Sequence, residues 1–184
     1  MGNKADITLV MCGCRSGKSR FALDAADQIQ GKQKIFLATS VPTDLEMDQR
    51  VARHQAERGE DWQTIEEPVM IHEVIDQASG TSPVILVDCL TLWTSNLLMA
   101  DYGEPEVMAR VALLKEALSQ SRCPVFLVSN EVGYGIVPDN TLARQFRDLA
   151  GLVNQQVAAA ADQVILTVAG IPLTIKPIPA LATP

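Results

Sequence analysis

The stretch from Met11 to Arg20, MCGCRSGKSR, carries the triplet Gly17-Lys18-Ser19 just behind an apolar run, Ile7 to Cys12. A strand that turns through glycines into a helix aims successive backbone N–H groups, and the positive end of the helix, at one spot. That spot suits a phosphate, with the Lys18 ammonium as a movable point charge and the Ser19 hydroxyl available to ligate Mg²⁺. The pattern GxxxxGK[ST] calls for a glycine five residues before Gly17, where this chain has Cys12, and the glycine comes one place later at Gly13. Cys12 is small, and Gly13 is expected to absorb some of the bend. A second apolar run, PVILVDC, ends at Asp88. A carboxylate there can orient Mg²⁺ directly or through water, or it can cap the helix predicted from Thr91 onward. Beside a phosphate loop, the metal role is the preferred reading.

A different chemistry is suggested by DLEMDQRVARHQAERGEDW, where helical spacing from Asp44 to Arg58 sets Arg50, His54 and Arg58 on one face. Two guanidinium groups beside an imidazole disfavour its protonation, which leaves a neutral, nucleophilic nitrogen between cations able to hold phosphates. The plainer reading is an exposed charged helix with Glu46, Glu57 and Glu60 pairing the arginines, and the segment alone favours it. His72 lies in a helix-like run after Pro68 and has no such company.

These residues need elements to position them. Short apolar runs alternate with stretches of helical period, the pattern of βαβ units around a mostly parallel sheet in an α/β fold. Strands are predicted at Ile7–Cys12, Lys34–Ser40, Pro83–Cys89, Pro124–Asn130 and Gln163–Gly170, with LTIK as a short last one. Core stripes are predicted on three helices. They are Phe21, Ala22, Ala25, Ala26 and Ile29 over Ser19–Gln30; Val107, Val111, Leu114 and Leu118 after Gly103-Glu104-Pro105; and Leu142, Phe146, Leu149, Val153 and Val157 over Thr141–Ala161.

At 184 residues and 47% hydrophobic content the chain suits one domain, residues 1–176, with a proline-rich tail over 177–184. A net charge of -7 argues against nucleic acid as a partner. No apolar run reaches the length of a membrane span, and the start MGNKAD resembles no signal peptide, so a cytoplasmic protein is expected. Cys12, Cys14, Cys89 and Cys123 match no zinc spacing and read as ordinary buried thiols.

Taken together, GCRSGKSR, LATS, RVARHQAERGEDWQTIEEP, LVDCLTLWTSNLL and the long block SNEVGYGIVPDNTLARQFRDLAGLVNQQVAAAADQVILTVAG resemble the bifunctional adenosylcobinamide kinase / adenosylcobinamide-phosphate guanylyltransferase family of cobalamin biosynthesis. The resemblance implies a RecA-like P-loop domain with helices on both sides of the sheet. It implies GTP, ATP and adenosylcobinamide as substrates with Mg²⁺ as cofactor, and it makes His54 the residue that accepts GMP from GTP, overriding the surface-helix reading. Nucleotide contacts are implied at Cys12, Gly13, Cys14, Arg15, Ser16, Gly17, Lys18 and Ser19, at Ala38, Thr39 and Ser40, at Gln55, Ala56, Glu57 and Arg58, and at Glu66 and Asp88. Lys18 is implied as catalytic, with Ser19 and Asp88 as metal ligands. The chain departs from the family at Cys12, where a glycine is usual, and at Gly59, where proline is common. The block SNEVGYGIVPDN, directly after a strand, is expected to form the corrinoid side of the cleft. Family resemblance also implies a trimer. The rival readings are a kinase-only P-loop enzyme with a structural histidine and a weakly catalytic nucleotide-binding regulatory module.

Overall fold

The structure is a computed structural model and describes residues 5–41 and 59–177. The predicted helix from Asp44 to Arg58, with Arg50, His54, Gln55, Ala56, Glu57 and Arg58, lies outside the described residues, as does the end of the tail.

The chain order is β1 (Ile7–Cys12), α1 (Lys18–Asp27), β2 (Lys34–Ala38), β3 (Trp62–Glu66), α2 (Ile71–Ala78), β4 (Ile85–Asp88), α3 (Leu90–Met99), α4 (Glu104–Gln120), β5 (Val125–Asn130), α5 (Thr141–Ala160), β6 (Gln163–Val168) and β7 (Ile171–Lys176). The strands make one seven-stranded sheet in the order β3-β2-β4-β5-β1-β6-β7. Every pairing is parallel except β6 with β7, a hairpin closed through left-handed Ala169 and Gly170.

Alternate residues of the central strands feed two cores. Leu9, Ile35, Leu37, Ile85, Val87, Val125 and Leu127 face one way and meet α2 to α5. Val10, Phe36, Ala38, Leu86 and Val128 face the other way and meet α1. Two covered faces explain why these strands read as continuous apolar runs. On α4 the predicted stripe holds in full: Val107, Val111, Leu114 and Leu118 are all buried, each such side chain contributing about 1.5–3 kcal/mol. On α5 Leu149, Val153 and Val157 are buried, whereas Leu142, in the first turn, is exposed. The α1 stripe is rotated from the prediction to Ala22, Leu23 and Ala26, and the helix ends at Asp27.

One strand was not predicted. Trp62–Glu66 pairs with β2 at the sheet edge, where one side is half exposed and polar residues interrupt the apolar run. At the opposite edge β7 is exposed along its length, with Ile171, Leu173 and Ile175 uncovered. Its last residue, Lys176, donates to the carbonyls of Ala158, Ala159 and Ala161 and so satisfies the C-terminal end of α5.

Candidate active site

Parallel pairing brings the ends of β1, β2, β3, β4 and β5 to one edge of the sheet, the place where open α/β folds bind ligands. Glu66, Ala38 and Asp88 lie in one row across β3, β2 and β4. Cys12 pairs with Asn130, while Asp88 pairs with Val128. Asn130 therefore stands two residues, about 6.6 Å, further out along the strand direction than Asp88.

The loop between β1 and α1 has the form of an anion cradle. Arg15 at φ 55° and Gly17 at φ 94° are both left-handed, an alternation with which backbone N–H groups line a concavity. Gly17 caps α1, whose first turn holds no acidic residue, so the positive helix end is left for a ligand. Lys18 is buried along its stem and donates from Nζ to the Gly13 carbonyl at 3.2 Å, spanning the loop.

Gly13 lies in the bend that leaves β1, as expected, but it is not a left-handed position. A Cβ placed on it meets nothing within 4 Å. The left-handed residues of the loop are Arg15 and Gly17. Cys12 is an extended β1 residue paired with Asn130, and its carbonyl accepts the Glu131 N–H at 3.0 Å. Nothing in that conformation requires a glycine.

The loop is anchored from β6 and the β6–β7 turn, a feature no motif announces. Ser16 Oγ lies 2.9 Å from Thr167 Oγ1, and the Gly170 N–H donates to the Ser16 carbonyl at 2.9 Å. A Cβ on Gly17 would stand 3.0 Å from Gly170 Cα. Ser16 thus spends its hydroxyl on the scaffold, while Cys14 and Arg15 are exposed at the rim.

Thr39 is spent in the same way. Its hydroxyl donates to the Cys89 carbonyl and accepts the Cys89 N–H, both at 2.8 Å, and its own carbonyl is held by Asn96 Nδ2 at 2.7 Å. These bonds tie the end of β2 to the start of α3. The helix is capped at Cys89 with no side-chain capping bond, so Asp88 does not perform the capping role that was its alternative. Its carboxylate is half-buried at the carboxyl edge. Burial, and then the Asp88 charge, push the Cys89 thiol up to about 11, and burial raises Cys123. The four cysteines are therefore not alike: Cys89 and Cys123 are buried, Cys12 is intermediate and Cys14 is exposed.

After β5 the chain passes over the same edge. Arg147 donates to the Gly133 carbonyl at 2.6 Å, and Arg144 donates to the carbonyls of Pro138 and Asp139 at 3.0 and 2.6 Å. Both arginines sit three residues apart on α5, and only their contacts identify them as loop anchors. The segment they fix exposes Tyr134, Ile136 and Val137. His72, by contrast, is buried on α2, remote in the chain from the cradle.

Residues 8–175 match the family described as Cobinamide kinase / cobinamide phosphate guanyltransferase. The chain belongs to this family. Bifunctional adenosylcobalamin biosynthesis protein CobP of Pseudomonas aeruginosa is 40% identical over 91% of this chain and 96% of its own. The proteins named CobU in Escherichia coli and Salmonella typhimurium are 41% and 42% identical over 91% of this chain and 98% of theirs. Among solved structures, a KaiC-like protein from Pyrococcus horikoshii has a TM-score of 0.54 at 13% identity, covering 88% of this chain and 70% of that one. The flagellar accessory protein FlaH of Methanocaldococcus jannaschii has a TM-score of 0.50 at 13% identity, with the same coverage. Those two likenesses speak to the fold, a mostly parallel sheet of RecA-like P-loop type. The chain is thus an enzyme of the cobinamide kinase / cobinamide phosphate guanyltransferase family, and no helix among the described residues is long and apolar enough to cross a membrane.

Proposed function

We propose that residues 1–176 act as one transferase unit in the cytoplasm and run two reactions at one nucleotide platform. In the first, a hydroxyl on the aminopropanol arm of adenosylcobinamide attacks the γ-phosphate of ATP or GTP. Lys18 and the N–H groups of Gly13 to Ser19 offset the charge that gathers on the transferred group. In the second, His54 attacks the α-phosphate of GTP and releases pyrophosphate. The cobinamide phosphate then displaces GMP from the histidine to give adenosylcobinamide-GDP, one hard transfer split into two easier ones.

The observation that carries this reading is the cradle itself, with left-handed Arg15 and Gly17, a helix start without a side-chain capping bond and Lys18 spanning the loop. Cys12 and Cys14 complete the loop. Ala38, Ser40, Glu66 and Asp88, on the same edge, would meet the rest of the nucleotide together with Gln55, Ala56, Glu57 and Arg58; Ser16 and Thr39 would contribute through their backbones.

Ser19 and Asp88 are the residues that would hold Mg²⁺. No group of three or more His, Cys, Asp or Glu able to hold a metal occurs among the described residues. One hydroxyl and one carboxylate fit an ion that keeps water and phosphate oxygens as its other ligands. Bound there, it would supply positive charge to neutralise the triphosphate.

The anchored segment after β5 is assigned to the corrinoid side of the cleft, since exposed Tyr134, Ile136 and Val137 suit the apolar rim of a macrocycle. A trimer belongs to the same proposal, and exposed Ile171, Leu173 and Ile175 on edge strand β7 support self-association. The extended, paired conformation of Cys12 argues against a degenerate binding module.

Adenosylcobinamide supplied with GTP labelled at both the α and γ positions tests the proposal. Both labels are expected in the product. A kinase-only enzyme leaves γ label alone, and a binding module leaves neither.

A further inference from the structure

Asn130 ends β5 between the ends of β1 and β4, and both of its main-chain groups are held by side chains from other elements. Thr91 Oγ1 accepts its N–H at 2.6 Å, and Asn154 Nδ2 donates to its carbonyl at 3.0 Å. Ser129 Oγ donates in turn to Asn154 Oδ1 at 2.6 Å and lies 3.4 Å from Thr91 Oγ1. Three buried polar side chains, from α3, β5 and α5, are thus spent on fixing the backbone around one residue. The Asn130 side chain they position is not itself satisfied. Its Oδ1 is buried and has no hydrogen-bond partner among the described residues. Buried polar atoms are nearly always paired, and the exceptions call for a specific reason.

We propose that Asn130 Oδ1 accepts the hydrogen bond of the acceptor hydroxyl that attacks the γ-phosphate, and so aims it. The inference rests on the kinase reading above and adds the group that reading lacked. A carbonyl oxygen is an acceptor only, so it repels phosphate oxygens and requires a donor. Two kinds of donor gather at a triphosphate: metal-bound water and the incoming hydroxyl. The metal ligand Asp88 lies two residues lower along the strand direction, whereas Asn130 is level with the mouth of the phosphate loop. The chain then runs straight into the segment assigned to the corrinoid, so the acceptor enters past this residue. An amide removes no proton. The hydroxyl oxygen bonds to the γ-phosphorus as the bond to the β–γ bridging oxygen breaks. That bond's electron pair stays on the nucleoside diphosphate, and the hydroxyl proton passes to an oxygen of the transferred phosphoryl group.

The test compares wild type with Asn130→Ala, both checked for cooperative unfolding. Three quantities are read: kcat for phosphoryl transfer to adenosylcobinamide, nucleotide Kd, and the ratio of transfer to cobinamide over transfer to water. Misaiming a nucleophile by an ångström costs on the order of 10²-fold. The expected result is a fall in kcat of about that size, nucleotide Kd within about threefold, and a ratio shifted toward water. A kcat within about threefold of wild type, or a loss that appears as weaker nucleotide binding, overturns the inference. If Asn130→Ala does not fold, Asn130→Ser is read by the same ratio. A wild type that transfers no γ-phosphate to cobinamide overturns the kinase reading and this inference together. A wild type that does so, matched by its variant, overturns this inference alone.

Discussion

Replacing each loop glycine by alanine separates the residue that needs a left-handed backbone from the one that does not. At Gly17 the backbone is left-handed at φ 94°, and the new Cβ would stand 3.0 Å from Gly170 Cα. Holding an L-residue in that region costs roughly 1–2 kcal/mol. The neighbour is main chain in a tight hairpin, so relief of the contact displaces the turn whose Gly170 N–H bonds to Ser16. Loss of that bond adds about 0.5–1.5 kcal/mol. Gly17→Ala is therefore expected to lower stability by about 2–3 kcal/mol. At Gly13 the backbone is not left-handed and a Cβ meets nothing within 4 Å. Gly13→Ala is expected to raise stability by about 0.4–1 kcal/mol through a less flexible unfolded chain. Urea unfolding without nucleotide measures both, and equilibrium binding of GTP should show weakening in Gly17→Ala as the cradle shifts. Equal effects of the two substitutions, or a Gly17→Ala change below about 0.5 kcal/mol, would refute the assignment of the left-handed turn to Gly17.

Three further outcomes follow from the same loop and its neighbours. Cys12→Gly should cost about 0.5–1 kcal/mol, as glycine does within a strand, with no gain in GTP affinity by titration; a gain would mean the missing glycine matters. The buried Cys89 thiol, pushed up to about 11, keeps its proton in the folded protein while the unfolded chain loses it near 9.0. The stabilisation is thus fully present below pH 9 and lost as pH rises to 11, a fall of about 2–3 kcal/mol that urea melts should show in wild type and not in Cys89→Ala. Iodoacetamide should modify exposed Cys14 first and leave buried Cys89 and Cys123 untouched until unfolding, with GTP slowing the reaction at Cys14; mass mapping of modified peptides reads the order.

Continuous apolar strands and the stripe Val107, Val111, Leu114 and Leu118 were legible because burial on one or both faces leaves a periodic record in the residues. The edge strand Trp62–Glu66 left none, since half its surface faces solvent and its register is set by β2. For the candidate site, Lys18, Ser19 and Asp88 are proposed from residue type and spacing near strand ends. What positions them was not. Thr167, Gly170 and Asn154 act through hydrogen bonds to residues 24 to 154 positions away in the chain, and a contact of that separation has no local signature. The left-handed residue of the loop has no local signature either. Glycine at position 13 marks permission for a left-handed turn, whereas it is Arg15 that adopts one, next to Ser16, which β6 and its hairpin hold.

The central claim is that the cradle at Gly17-Lys18-Ser19 presents a triphosphate to His54 for transfer of its nucleoside monophosphate. Incubation of the protein with GTP labelled at the α-phosphate, in the absence of cobinamide, tests this directly. The account predicts a protein-bound label that acid releases and alkali does not, absent from His54→Ala and strongly reduced in Lys18→Ala. An unlabelled wild type, or label that persists in His54→Ala, would contradict it.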